Sequence, residues 1–392
     1  MKQLVVAAAQ MRMSLPQSLP EVEESLERFL RTAEAKRARL VVFPALSGLM
    51  ALAPFLHGAR TSLLKAADQA RRGRASFWTR ARGRLAGSLA DMLKTDFGRL
   101  LEQALLHQGE ALWGAYLDLF GRLAQRHTVT LVAGSAYLPD RNDGRVRHVS
   151  AVFGPDGELL GQQGAVTPAV DEAGFVQAGG RWQVIPTPAG RLGLLLGDDV
   201  LYPEAGRLLA YAGAEILVAQ AACTYPVHYA RLRQGLLARV EENQLYGAQS
   251  FLVGYNPFTP GEEAPFVGRS LIAAPIAMTP RYNGVLVEMG TDSTEGLITA
   301  EWSFEALQRH WETDPAPVRR RMPVAELGRF LGALYGRGLT LDEAARIGRL
   351  PEAPPALPEP APGGLLTGET SITAIEPPKE GGSEGEVRGE AL

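Results

Sequence analysis

Short apolar runs recur along the first three quarters of the chain, at residues 4–9, 40–43, 129–133, 192–196, 216–219, 250–253 and 271–274. Most have no polar residue in alternation. A strand without a polar face is buried on both sides, which requires layers above and below its sheet. Segments of helical period lie between several of these runs, at residues 19–36, 111–126, 202–212 and 228–246. Two sheets packed face to face, each covered by helices on its outer side, satisfy this pattern as an α/β, four-layer α-β-β-α sandwich. A doubly wound parallel sheet satisfies it equally, so periodicity leaves the choice open.

The alternation runs to about residue 313 and is interrupted at 47–108 by a helix-compatible insertion, in which Arg71, Arg72, Arg74, Arg80, Arg82 and Arg84 surround Phe77 and Trp78. Residues 1–313 therefore read as one domain carrying a helical insertion, and 314–350 as a helical C-terminal extension entered through Arg319-Arg320-Arg321. Residues 351–392 are rich in Pro, Gly and Glu with few large apolar side chains, so they cannot offset the entropy of ordering and are expected to be a disordered acidic tail. No repeat of solenoid type is present.

Composition agrees with a chain able to bury a large core: of 392 residues, 46% are hydrophobic and 21% charged. The formal charge of −3 is uneven, because the tail holds eight acidic and two basic residues while the rest carries 38 basic against 35 acidic. The first residues run straight into a strand pattern without the layout of a secretory signal. No apolar stretch reaches the ~20 residues that span a bilayer. The single cysteine, Cys223, cannot form an internal disulfide, and the expected compartment is the cytoplasm.

Five ordered segments resemble the nitrilase superfamily of carbon-nitrogen hydrolases. The first strand ends in Ala9-Gln10, and the second gives Leu40-Val41-Val42-Phe43-Pro44 before Ala45. The third runs from Phe153-Gly154-Pro155-Asp156-Gly157 to Gly161, and the fourth is Leu194-Leu195-Leu196-Gly197-Asp198-Asp199 with Tyr202-Pro203-Glu204 and Arg207 after it. The fifth, Arg239-Val240-Glu241-Glu242-Asn243, resembles the family's Arg-Ala-x-Glu-Asn helix, and Gly268-Arg269-Ser270 its later strand. The resemblance implies the four-layer sandwich, pairing of subunits through the helices beside the fourth segment, and a Glu-Lys-Cys catalytic triad. By the same resemblance the glutamate falls at Ala45, the lysine at Ala165 and the cysteine at Gly197.

None of those three residues can act as the family's chemistry requires, since attack needs a thiolate, proton transfer a carboxylate and the oxyanion a cation. Two of the losses do not depend on alignment: Cys223 is the only cysteine, and no lysine lies between Lys94 and Lys379. The expectation is a protein inactive by the family mechanism that holds a small molecule or a partner in the emptied cleft. Candidate pocket residues are Glu172, which stands where the family often has a supporting glutamate; Asp198 and Asp199; Cys223 with His228; and His148, where the family often has asparagine. Each also has a plainer reading: Glu172 as a solvated loop acid, Asp199 as a cap of the helix starting near Tyr202, Cys223 as a small buried hydrophobe, and His148 as a hydrogen-bonded strand residue.

Two alternatives stand beside this expectation. One is an amide or nitrile hydrolase with Cys223 as a displaced nucleophile and His228 as its base. The other is attachment of the basic insertion to an anionic partner, whether nucleic acid or membrane surface. Six scattered histidines and one cysteine lack metal-ligand spacing, and no phosphate-cradling glycine motif is present, so neither metal nor cofactor is expected.

Overall fold

The computed structural model describes residues 3–52, 54–55, 97–169, 172, 175–258 and 264–347. The chain divides into two compact units at the boundary between Met322 and Pro323. The arginine cluster of the insertion and the acidic tail both lie outside the described residues.

In the first unit, the long strand β1 (Gln3–Arg12) organises one half of the sheet structure. It pairs in parallel with β2 (Leu40–Val42), which pairs in parallel with β3 (Thr130–Val132). Beyond β3 come the antiparallel strands β4 (Ala136–Pro139), β5 (Val146–Phe153) and β6 (Leu159–Gly164), with β5 in the middle. The other half contains β7 (Val184–Thr187), β8 (Gly190–Leu196), β9 (Ile216–Ala222) and β10 (Tyr246–Val253), of which β8, β9 and β10 run parallel. Two antiparallel strands, β11 (Leu271–Ala273) and β12 (Val285–Glu288), extend it past β10. The last strand, β13 (Gly296–Ser303), returns to pair with β1 from Gln3 to Gln10. At its far end β1 crosses to the second half, where Met11 and Arg12 pair with Leu252 and Val253.

Helices cover the outer faces. On the β1 side lie α1 (Leu19–Ala35) and α2 (Phe97–His127), the latter kinked at Gln108. On the β9 side lie α3 (Pro203–Tyr211) and α4 (Pro226–Asn243). The unit ends in α5 (Phe304–Thr313) and the short α6 (Val318–Arg321). The second unit contains α7 (Val324–Tyr335) and α8 (Leu341–Ile347).

The sequence produces four layers because successive residues of a strand face opposite sides. In β1, Leu4, Val6 and Ala8 enter a central apolar cluster with Leu192, Leu194, Ile216 and Val218 of the other sheet. Their neighbours Ala7, Ala9 and Met11 face outward onto Val22, Leu26, Phe29 and Leu30 of α1. In β9, Leu217, Ala219 and Ala221 likewise face outward onto Leu232, Leu236 and Val240 of α4. Three apolar clusters thus separate four layers, and the sandwich stands where periodicity alone left a doubly wound sheet open.

Three sequence boundaries shift. The helix expected over 111–126 is the second part of α2, which begins at Phe97 within the interval read as an insertion. The helix expected over 228–246 starts at Pro226 and stops at Asn243, where Gln244 takes a left-handed φ of +49°. Tyr246 then opens β10 rather than closing the helix, so the strand expected at 250–253 is longer than its apolar run.

Candidate functional site

Where the parallel strands end, their carbonyls leave the ladder and polar side chains gather. Gln220, at the end of β9, points across the interface between the sheets, and its Nε2 donates to Phe43 O at 2.6 Å and Ala133 O at 2.7 Å. Ser250 of β10 donates from Oγ to Val42 O at 3.0 Å. Both side chains are fully buried, so these bonds satisfy the Gln220 amide N–H groups and the Ser250 hydroxyl and fix the two strand-end regions against each other.

The first of those regions surrounds Ala45 and is dominated by a chain of polar contacts. Leu46 holds φ at +59°, a region that costs a non-glycine residue roughly 1–2 kcal/mol, and its N–H donates to Ser135 Oγ at 2.9 Å. Ser135 Oγ lies 2.6 Å from His148 Nε2, and His148 Nδ1 lies 3.2 Å from Glu172 Oε1. Tyr137 donates its hydroxyl to the same carboxylate oxygen at 2.6 Å, and the Ala169 N–H donates to Oε2 at 3.1 Å. Burial by itself would raise the Glu172 pKa, but the charge of the His148 ring and the bonds from His148, Tyr137 and Ala169 outweigh it and hold the group at about 2. Glu172 is therefore an ionised, internally paired carboxylate and not a solvated loop acid. His148 is a strand residue on β5 whose Nε2 lies against Ser135 Oγ and whose Nδ1 faces this carboxylate.

Ala165 sits one strand away from His148, its N–H donating to His148 O at 2.8 Å. Its side chain belongs to the packed layer between the sheets. Neither Ala45 nor Ala165 is more than 1% exposed.

The second region is the turn that follows β8. Gly197 has φ of +54°, and a Cβ placed on it would meet nothing within 4 Å among the described residues. Asp199 is fully buried and accepts from Val166 N, Thr167 N, Thr167 Oγ1 and Leu196 N. It thereby ties the loop after Ala165 to the turn after β8. This differs from the expected helix cap: α3 has Tyr202 at its N-cap with no side-chain capping bond. Asp198 is half-buried, and its Oδ1 lies 2.7 Å from His228 Nε2, near the start of α4.

Cys223 is buried at the end of β9, and its Sγ donates to Val267 O at 3.2 Å. Burial, with a smaller contribution from the Asp198 charge, pushes the thiol up to about 12. The thiol and the imidazole each have another partner, so the Cys223–His228 pair required by a displaced nucleophile is not formed. Behind this turn Arg239 of α4 forks onto the Glu242 carboxylate through Nε and Nη2 while Nη1 donates to Leu201 O. Gly206 allows that approach, since a Cβ there would lie 2.7 Å from Arg239 Cδ.

The structure thus brings His148 to Glu172 and Asp198 to His228, and turns Asp199 and Cys223 into internally satisfied groups. Sequence reasoning missed Ser135, Tyr137, Thr167 and Gln220. Each is an isolated polar residue in or beside an apolar run, a signal visible in the sequence but without a partner named. Among the described residues, no group of three or more His, Cys, Asp or Glu could hold a metal ion, and no helix is long and apolar enough to cross a membrane.

The sequence model of the carbon-nitrogen hydrolase family matches residues 5–310, and the chain belongs to that family. Among curated proteins it is similar to one named "Probable hydrolase YhcX" from Bacillus subtilis (strain 168), with 27% identity over 195 residues, which are 50% of this chain and 37% of that protein. It is also similar to the Xenopus laevis protein omega-amidase NIT2-A, with 26% identity over 226 residues, 54% of this chain and 75% of that one. Among solved structures, a carbon-nitrogen hydrolase from Helicobacter pylori G27 superposes with a TM-score of 0.60 at 19% identity, over 83% of this chain and 96% of that one. A double mutant of the amidase from Nesterenkonia sp. AN1, in complex with acrylamide, gives 0.55 at 19% identity, over 83% of this chain and 96% of its own. At such identities the structural likeness shows the shared fold, a nitrilase-like α/β sandwich.

Proposed function

We propose that this chain does not hydrolyse carbon-nitrogen bonds by the family's Glu-Lys-Cys mechanism, and that it uses the strand-end cleft to hold a small carboxamide-like molecule. The observation that carries the reading is the state of its nucleophiles. The position the resemblance assigns to the cysteine is Gly197, and the only cysteine is buried, hydrogen-bonded to Val267 O and pushed up to about 12. A thiol at that value is almost wholly un-ionised at neutral pH and is a poor nucleophile. Ala45 and Ala165 supply neither the base nor the cation. A homodimer, a cytoplasmic location and an anionic partner for the arginines at 71–84 belong to the same proposal.

The test pairs two measurements on the purified chain. Thermal-shift titration with small amides, nitriles and N-carbamoyl compounds should give saturable stabilisation for some of them. Single-turnover assays on the same panel should show no product that depends on Cys223; product formation abolished by Cys223→Ala would refute the reading. Similarity to an omega-amidase and an amidase supports a second reading, in which a carboxamide is hydrolysed by groups other than the thiol.

A further inference from the structure

The polar groups at the two strand-end regions differ in whether anything from solvent can reach them. In the chain of Ser135, His148 and Glu172, Ser135 is fully buried and His148 is 3% exposed, and both Glu172 oxygens already accept bonds, Oε1 from Tyr137 and Oε2 from the Ala169 N–H. Asp199 has both carboxylate oxygens taken by backbone and hydroxyl donors. Asp198 is different. Its side chain keeps 20% of its surface exposed and that of His228 31%; Oδ1 is taken by the imidazole, while Oδ2 has no partner among the described residues. Beside it Gly197 presents, among the described residues, open space in place of a side chain.

We propose that Asp198 is a general base that delivers water to the carbonyl carbon of a small uncharged carboxamide seated over Gly197, with His228 as its positioning residue. The inference rests on the reading that the cysteine chemistry is absent. With no side chain at Gly197, the attacking atom must be small and must come from solvent. Oδ2 takes a proton from the water as the water oxygen bonds to the carbonyl carbon. The tetrahedral intermediate then re-forms its C=O and expels the amine, which takes the same proton from Oδ2 as the C–N bond breaks. A carboxylic acid and an amine leave, and the Asp198 carboxylate is restored. His228 Nε2, at 2.7 Å, holds the other oxygen and so fixes the direction of Oδ2. The substrate is uncharged because an anionic group seated over Gly197 would face the Asp198 carboxylate, whose imidazole partner is already engaged with Oδ1.

The experiment uses the full chain, uncharged acyl p-nitroanilides as the reacting probes, and acetamide as a non-chromogenic ligand for thermal-shift titration. Wild type and Cys223→Ala should release p-nitroaniline at rates within about twofold of each other. Asp198→Asn should lower kcat about 100-fold with KM little changed, the scale expected for loss of a general base. His228→Asn should lower kcat roughly tenfold, again with KM held, a split that a mere loss of fold would not give. Unchanged melting temperatures confirm that the variants are folded. Equal kcat in wild type and Asp198→Asn would overturn the proposal. Absence of turnover with saturable acetamide binding would overturn it and leave the binding reading standing. Turnover lost in Cys223→Ala would overturn both readings.

Discussion

Replacing His148 by asparagine removes the imidazole that lies against the buried Glu172 carboxylate while keeping a polar group beside Ser135. Glu172 sits at about 2 against an ordinary value of 4.5, because the His148 charge and three hydrogen bonds outweigh a burial cost that acts the other way. That difference corresponds to about 3 kcal/mol of stability at pH values above both figures. A carboxylate whose folded pKa is depressed contributes fully above its unfolded value and loses the contribution as pH falls toward the folded one. The loss in His148→Asn should therefore be on the order of 1–3 kcal/mol near pH 5.5, since the bonds from Tyr137 and Ala169 remain, and clearly smaller near pH 3, where the Glu172 contribution in the wild type is already fading. Urea denaturation at the two pH values, with wild type in parallel, measures both differences, and the titration of all other carboxylates cancels between the two proteins. An equal loss at both pH values would assign the effect to packing and refute the charge argument; no loss at either would refute the pairing itself.

Gly134→Ala should destabilise the chain by more than about 2 kcal/mol in the same assay, because its Cβ would collide with Ser47 Oγ and would lie 2.7 Å from Gly48 N, a backbone atom that cannot swing aside. Cys223 should resist iodoacetamide in the native protein at pH 8 and react fully in urea, read by intact mass; rapid native labelling would contradict its burial and raised pKa. Ala45→Glu, Ala165→Lys and Gly197→Cys together should not yield robust amidase activity in turnover assays, since two of the three side chains enter positions at most 1% exposed and catalytic geometry must hold to within roughly 0.5 Å. Light scattering at micromolar concentration should give a species larger than the 42.2 kDa monomer.

How much the sequence disclosed depended on whether a residue's neighbours in space were also implied by its neighbours in the chain. The runs at 40–43, 192–196 and 216–219 were legible as strands because apolar layers cover both faces, and that leaves an unbroken pattern. Strand β13 was not, since its residues are mostly half-buried and its pairing partner, β1, lies at the other end of the chain. The end of α4 was misplaced for a local reason: Leu245 and Tyr246 continue the helical period, and only the left-handed turn at Gln244 diverts them into a strand. At the site, Glu172, His148, Asp198 and His228 were all visible as candidates, but their pairing was not. Hydrogen-bond partners follow from strand order and loop path, and neither is written in residue types.

The arrangement around Glu172 also bears on what Ala45, Ala165 and Gly197, the positions that the resemblance assigns to the triad, would need in order to act. A buried carboxylate left without a cation costs several kcal/mol, so a chain with no lysine near position 165 must neutralise Glu172 in some other way. The His148 imidazole lies against it at 3.2 Å from the strand beside Ala165, joined to that residue by the backbone bond between Ala165 N and His148 O. His148 Nε2 lies against Ser135 Oγ and its Nδ1 faces Glu172, so the imidazole is held between two groups of this network. A lysine placed at Ala165 would enter beside a carboxylate that already has the His148 imidazole and the Tyr137 hydroxyl against it. Activity by the family route would then require re-partnering His148 and Glu172 as well as supplying the three groups that the resemblance assigns. The Asp198–His228 pair is separate from that network and keeps a carboxylate oxygen open beside Gly197, which is why any remaining hydrolysis is expected there.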